Sequence, residues 1–205
     1  SLFFLDLVSA NKIFFSILIV FTILQSCNNS GSVLTNDSNL PKQKGFLRID
    51  FEEPSYSLLN DKEIPFEFYY NSTSVIVNQI SSKTLKLNYE KLGMSLDLSI
   101  NKLYDNGEFL SYLSDFNLLL DSHTKKSNGF FLKEYENINY STYGKIYEFR
   151  GNVASPIQFY ITDSTSNFIS GSINLKFKSN YDSIFPSIQY IKDDILFLFQ
   201  SINWK

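Results

Sequence analysis

Cysteine, histidine and tryptophan each occur once in these 205 residues. One cysteine leaves no intrachain disulfide framework, and one cysteine with one histidine cannot furnish the ligand set of a zinc site. No Gly-x-Ser-x-Gly elbow accompanies His123, so no serine-hydrolase signature is present. Eighteen Lys and Arg stand against 21 Asp and Glu, for a net charge of −3, and the cations form no block. That excludes the electrostatic footprint of a nucleic-acid binder. An apolar run of the roughly 20 residues that a spanning helix takes is missing too. What remains is ample apolar material: 43% of residues are hydrophobic and 20 are Phe. A chain of this size buries roughly 70% of its unfolded surface, enough to fold on its own core without metal, disulfide or cofactor.

The longest apolar stretch follows Lys12 and runs from Ile13 to Leu24, then stops at Gln25-Ser26-Cys27. A basic flank, a short apolar core and a small-residue exit are the parts of a signal peptide. Leu24 and Ser26 placed before Cys27 form a bacterial lipobox, in which the Cys27 thiol takes a diacylglyceryl group and becomes the mature N-terminus. The alternative, a core cysteine after a buried strand, does not suit the Asn, Ser, Gly and Thr that follow. Several acyl chains make such an anchor stable where one alone holds only marginally. An acylated Cys27 is also unavailable as a catalytic thiol. The expected organisation is a signal peptide over residues 1–26, a lipidated flexible tether over 27–40, and a single domain over 41–205. Residues 1–11 read as an over-extended gene model or a fragment.

Within the domain, strands are expected at Phe46–Phe51, Phe66–Tyr70, Ser74–Val77 and, more weakly, Leu85–Tyr89. Asn71-Ser72-Thr73 makes a hairpin-length break between the second and third. Met94, Leu96, Leu98 and Ile100 alternate with Ser95, Asp97 and Ser99, which predicts a half-buried strand. Asn106-Gly107-Glu108 then signals a helix start, and Phe109, Leu113, Phe116 and Leu120 place an apolar stripe on a helix ending near Asp121. His123 falls just beyond and faces the helix dipole or water. The period returns to two over 130–135, 145–150, 156–162 and 168–177, predicting consecutive antiparallel strands. A last helix opens at Ser183, with Ser183 as cap and Pro186 in its first turn. Its stripe is Ile188, Ile191, Ile195, Leu198 and Ile202, closed by Trp204. The fold class is therefore α+β, an antiparallel sheet with packed helices, and the order of elements is similar to the Mog1/PsbP-like α-β-α sandwich.

No catalytic or metal-binding constellation emerges. Asp193-Asp194 is an adjacent acidic pair on the last helix, where neighbours face apart, and solvation is its expected role. The loop Arg150-Gly151-Asn152-Val153-Ala154-Ser155-Pro156 admits two readings. It is either a partner-binding loop offering Arg150, Gly151, Asn152, Ser155 and Pro156, or a bent connection in which Asn152 bonds its own backbone. Asp163-Ser164-Thr165 and Asp182-Ser183-Ile184 fit a short acceptor pattern for periplasmic O-glycosylation, one that chance also produces.

Three stretches carry a family resemblance: Pro41 to Asp50 with Pro65-Phe66-Glu67-Phe68, Lys145 to Ser164 with Ile169-Ser170-Gly171-Ser172, and Ile191 to Lys205. Together they resemble the gliding-motility lipoprotein family GldD. Members often carry a cysteine before the Pro-Phe pair and another before the next strand; here Ile64 holds the first place and no cysteine lies near Leu85. The resemblance implies a non-enzymatic Bacteroidota envelope lipoprotein, held at the membrane by lipid on Cys27. It implies partners among the gliding-motility and type IX secretion proteins. In that phylum a cluster of acids after the lipidated cysteine tends to mark surface export, and the lack of such a cluster behind Cys27 favours the periplasm. The competing expectation is a periplasmic lipoprotein that binds a small ligand or peptidoglycan in a groove between sheet and helix.

Overall fold

A computed structural model describes residues 49–176 and 180–205. The signal peptide, the lipobox residues Leu24, Ser26 and Cys27, and the tether lie outside the described residues.

Two antiparallel sheets form the described architecture. β1 (Tyr56–Leu59), β2 (Phe66–Asn71) and β10 (Asn203–Trp204) make a small sheet in the order β1-β2-β10. The large sheet is built from β3 (Ile76–Ile80), β4 (Thr84–Tyr89), β5 (Met94–Lys102), β6 (Phe130–Asn137), β7 (Thr142–Phe149), β8 (Ile157–Thr162) and β9 (Asn167–Leu175). Its order is β3-β4-β5-β9-β8-β7-β6. Strict alternation gives each strand two faces. Met94, Leu96, Leu98 and Ile100 of β5 join Ile169 and Ile173 of β9 and Ile157, Phe159 and Ile161 of β8 on one of them.

Helix α1 (Asn106–Thr124) and helix α2 (Tyr181–Ser201) cover opposite faces. The capping residue of α1 is Asp105, whose carboxylate accepts the Glu108 N–H at 2.9 Å, while Glu108 accepts the Tyr104 N–H at 2.7 Å. This reciprocal arrangement is close to a capping box. Phe116 and Leu120 of α1 are buried on Phe149, Tyr160 and Phe168, with Phe109 and Leu113 alongside. On the other face α2 buries Ile188, Ile191, Ile195 and Leu198. Each such side chain contributes about 1.5–3 kcal/mol.

Two glycines permit close packing here. A Cβ on Gly144 would meet the Tyr160 carbonyl oxygen and the Phe199 ring, and one on Gly171 would enter the Phe159 ring.

Several expectations give way. Ile49–Phe51 carries no strand; the Phe51 ring instead stacks on Tyr190, with centroids 4.6 Å apart. β2 and β3 are not a hairpin, because they belong to different sheets. Asn71 is buried at the end of β2, its side chain bonded to Tyr190 and Asp194, so the chain is redirected there. β1 has no counterpart among the strands that the sequence pattern predicts. Asn180, not Ser183, caps α2, its Oδ1 accepting the Asp182 N–H, and Pro186 lies inside the helix. Pro186 removes one intrahelical bond. Trp204 leaves the helical stripe to pair with Phe66 in β10, and its indole Nε1–H donates to Thr142 Oγ1 at 3.2 Å.

Candidate partner-binding face

The strand at one end of the large sheet has its apolar side chains turned to water. β6 pairs with β7 along its whole length, and its other edge pairs with nothing among the described residues. Phe130, Phe131 and Leu132 are each about half exposed, at 44%, 50% and 47%, and Ile138 and Tyr140 just after the strand are more so. Edge strands are usually blunted by charge, bulges or covering segments. Here Lys133, Glu134 and Glu136 guard the middle and the first three residues are bare.

Alternation places Phe131 and Lys133 on the α2 side. Together with Ile146, Glu148 and Arg150 from β7 and its exit, and Phe185, Gln189, Lys192 and Leu196 from α2, they line a groove of about 350 Å³. Glu148 is buried, and its charge is met by Lys192 Nζ at 2.8 Å and by Gln189 Nε2–H at 2.7 Å. Lys192 also donates to Gln189 Oε1 at 2.6 Å. Helical spacing of three puts Gln189 and Lys192 on one flank, so both reach the same carboxylate. Arg150 makes no ion pair among the described residues; its guanidinium lies over the Phe131 ring, 4.1 Å from the centroid. Such stacking contributes about 0.5–1 kcal/mol at an exposed position. With Glu148 already paired, Lys133 and Arg150 leave the groove cationic.

The loop singled out from sequence divides sharply. Arg150 is exposed, and Gly151 has φ of 95°, a backbone state that suits glycine. Asn152 is exposed, and its Oδ1 accepts the N–H of Tyr181, the first residue of α2, at 2.9 Å rather than one from its own backbone. Ser155 is buried and its hydroxyl donates to the Ile157 carbonyl at 3.3 Å. Pro156 is buried too. Arg150 is thus the member of the five that the structure joins to a groove. Phe131, Glu148, Gln189 and Lys192 carry no sequence motif; the Gln-x-x-Lys spacing on the second helix is the signal the sequence offers.

A second polar cluster lies where the small sheet meets the second helix. Asp194 is buried and accepts from Tyr56 O–H at 2.9 Å, Tyr89 O–H at 3.0 Å and Asn71 Nδ2–H at 3.2 Å. Solvation of the Asp193-Asp194 pair therefore holds for Asp193 alone. Burial pushes the Asp194 carboxyl above its ordinary value, against the pull of its three donors. Tyr89 and Tyr56 are pushed up by burial and by the facing carboxylate. No cation faces Asp194 in this knot, which acts as a clasp between elements. His123 falls within the last turn of α1, half-buried with its ring 5.8 Å from that of Phe149. Burial and the nearby Lys126 lower its pKa. Among the described residues no group of three or more His, Cys, Asp or Glu gathers as a metal site would require.

No curated protein matches the chain. The model of a family described as gliding motility lipoprotein GldD matches residues 36–204, most of the chain and the whole of the described fold except its last residue. That family's lipoprotein character fits an envelope location with a membrane anchor, and no helix among the described residues is long and apolar enough to cross a membrane. The chain belongs to the GldD family of gliding motility lipoproteins.

Proposed function

We propose that this lipoprotein is a non-enzymatic scaffold that stabilises partner proteins of the gliding-motility and type IX secretion apparatus. Lipid on Cys27 holds it to the membrane, and its domain works in the periplasm. The observation that carries this reading is the open edge of β6 beside the cationic groove. An unpaired edge binds an extended segment through main-chain hydrogen bonds, and neighbouring pockets choose its side chains. Phe130, Phe131 and Leu132 favour apolar side chains in the incoming strand, and Lys133 with Arg150 favours acidic ones. The occupant is accordingly an extended, apolar and acidic segment of another envelope protein.

A photo-crosslinking side chain introduced at Leu132 in living cells tests this. The expected capture is of motility or secretion proteins, and a Cys27→Ala copy should lose it. Capture of those proteins from the opposite edge of the sheet at Ile76, with none at Leu132, would remove β6 as the docking strand.

A further inference from the structure

The face of the large sheet that carries α1 divides in two. Over the part of β7 and β8 beneath α1 it is largely apolar, and Phe116 and Leu120 pack on Phe149 and Tyr160 there. Over β4, β5 and the adjoining part of β9 it is polar. One solvated face is ordinary for an antiparallel sheet, so polarity alone assigns nothing.

Three observations go further. The polar half is not open surface but the floor of a groove of about 460 Å³, with Lys86, Asp97, Ser99, Ser170 and Ser172 below and Phe116 and Leu119 of the first helix as its wall. The groove adjoins a hollow of about 300 Å³ that shares Ser99, Phe116, Leu119 and Ser170 with it and adds Asn101, Tyr112 and Asp115.

Strand register also sets these side chains in cross-strand rungs. Thr84, Ser99 and Ser170 form one; Lys86, Asp97, Ser172 and Gln158 the next; Asn88, Ser95 and Asn174 a third. Neighbouring strands are about 4.8 Å apart and successive rungs about 6.7 Å, a lattice of donors and acceptors.

Some polar atoms of these rungs are moreover left without partners. Gln158 is 1% exposed, and neither of its amide atoms has a hydrogen bond. Asn88 is 5% exposed with Oδ1 unbonded. Asp97 Oδ2 accepts from Lys86 at 3.3 Å and Asn174 at 3.0 Å, while its Oδ1 has no partner. Native proteins bond the large majority of such atoms. Of the three, Asp97 lines the groove itself, so its unbonded Oδ1 is the acceptor that a polar occupant would complete, while Gln158 and Asn88 extend the same rungs beneath neighbouring packing.

We propose that this groove binds an uncharged carbohydrate. Hydroxyl, amide and carboxylate groups in one array suit a ligand whose every hydroxyl both donates and accepts. The Lys86–Asp97 pair cancels its own charge, and Asp115 in the adjoining hollow repels anions, which disfavours phosphates and uronates. Phe116 and Leu119 offer an apolar wall for the C–H face of a sugar ring, in keeping with small-molecule sites that set a few polar groups against apolar walls. The site is on β4, β5 and β9, across the sheet from β6, and does not depend on the docking reading.

The test uses the full-length protein in a zwitterionic detergent free of sugar. It is titrated calorimetrically with a broad panel of neutral oligosaccharides including chitotetraose, cellotetraose and maltotetraose, with tetragalacturonate and inorganic phosphate as anionic comparisons. Saturable binding of a neutral member is expected, weakened at least tenfold by Ser99→Val with Ser170→Val at an unchanged thermal midpoint. Leu119→Arg, at a half-exposed wall position, should block the same binding and serves if the double valine variant fails to fold. Three results would each overturn the proposal: no neutral sugar binding saturably, both variants binding as the parent does, or tetragalacturonate binding as tightly as any neutral member.

Discussion

Two aspartates show how position decides what a carboxylate does. Asp163, in the turn between β8 and β9, accepts the N–H groups of Thr165, Ser166 and Asn167 at 3.0, 2.7 and 2.8 Å, and the Asn167 amide as well. Burial works to raise its pKa, but these donors overcome it and the net shift is downward. Asp194 goes the other way because burial outweighs its donors. Linkage gives the two opposite signs. The stabilisation from Asp163 is present above its ordinary value of 3.8 and is lost as pH falls through the lower folded value. For Asp194 the folded state holds the proton more tightly, so stability declines as pH rises from 3.8 through the raised value. Denaturation midpoints measured from pH 3 to 8 should therefore separate the variants. Relative to wild type, Asp163→Asn loses most at neutral pH and least in acid, whereas Asp194→Asn loses most in acid and least at neutral pH. A parallel response would contradict this assignment. Gly144 gives a second prediction at this scale. Its Cβ would meet a backbone carbonyl, which cannot swing aside as a side chain can, so Gly144→Ala should destabilise by about 1–3 kcal/mol in chemical denaturation. Neither effect was legible in the sequence. Spacing correctly told that Asp193 and Asp194 face apart, but the groups that bury Asp194 lie 138, 123 and 105 positions away along the chain.

Among elements, legibility followed periodicity. β5, β6 to β9 and both apolar helical stripes stand close to where alternation and spacings of three and four put them. Tyr56–Leu59 escaped because four residues are too few to show a period, and its strand exists by pairing with β2. Phe46–Phe51 misled in the converse way: alternation there is real, yet the described part, Ile49–Phe51, finds no sheet partner and Phe51 is used for stacking instead. In the Arg150 loop, the bond from Tyr181 to Asn152 and the burial of Ser155 and Pro156 depend on contacts that the local sequence does not express. What spacing could not express is that β6 is an edge, a property of sheet order. Its test follows from exposure. Leu132→Lys adds the kind of charge that blunts an edge, and at a half-exposed position it should change stability by no more than about 0.5 kcal/mol. Capture of partner proteins from β6 should fall sharply in that variant, while Leu118→Lys on the exposed side of α1 leaves it unchanged.

For the molecule as a whole, the question is whether the two sheets behave as one. One core cluster contains Phe66 and Phe68 of the small sheet, Leu87 and Leu96 of the large one, and Ile191 and Ile195 of the second helix. The Asp194 clasp spans the same junction, taking Tyr56 and Asn71 from β1 and β2 and Tyr89 from β4. Shared apolar burial is the larger of the two, because each unmet donor at the clasp costs only about 1–3 kcal/mol while the cluster joins many side chains at about 1.5–3 kcal/mol each. Trp204, the only tryptophan, reports on the small sheet, whereas far-UV circular dichroism reports chiefly on the large sheet and the helices. Two-state unfolding requires the two signals to coincide. They should do so in the wild type, and also in Asp194→Ala at a lower midpoint, since that variant leaves the apolar cluster whole. If the Trp204 transition instead moves ahead of the other in Asp194→Ala, cooperativity between the sheets comes from the clasp and not from the core they share.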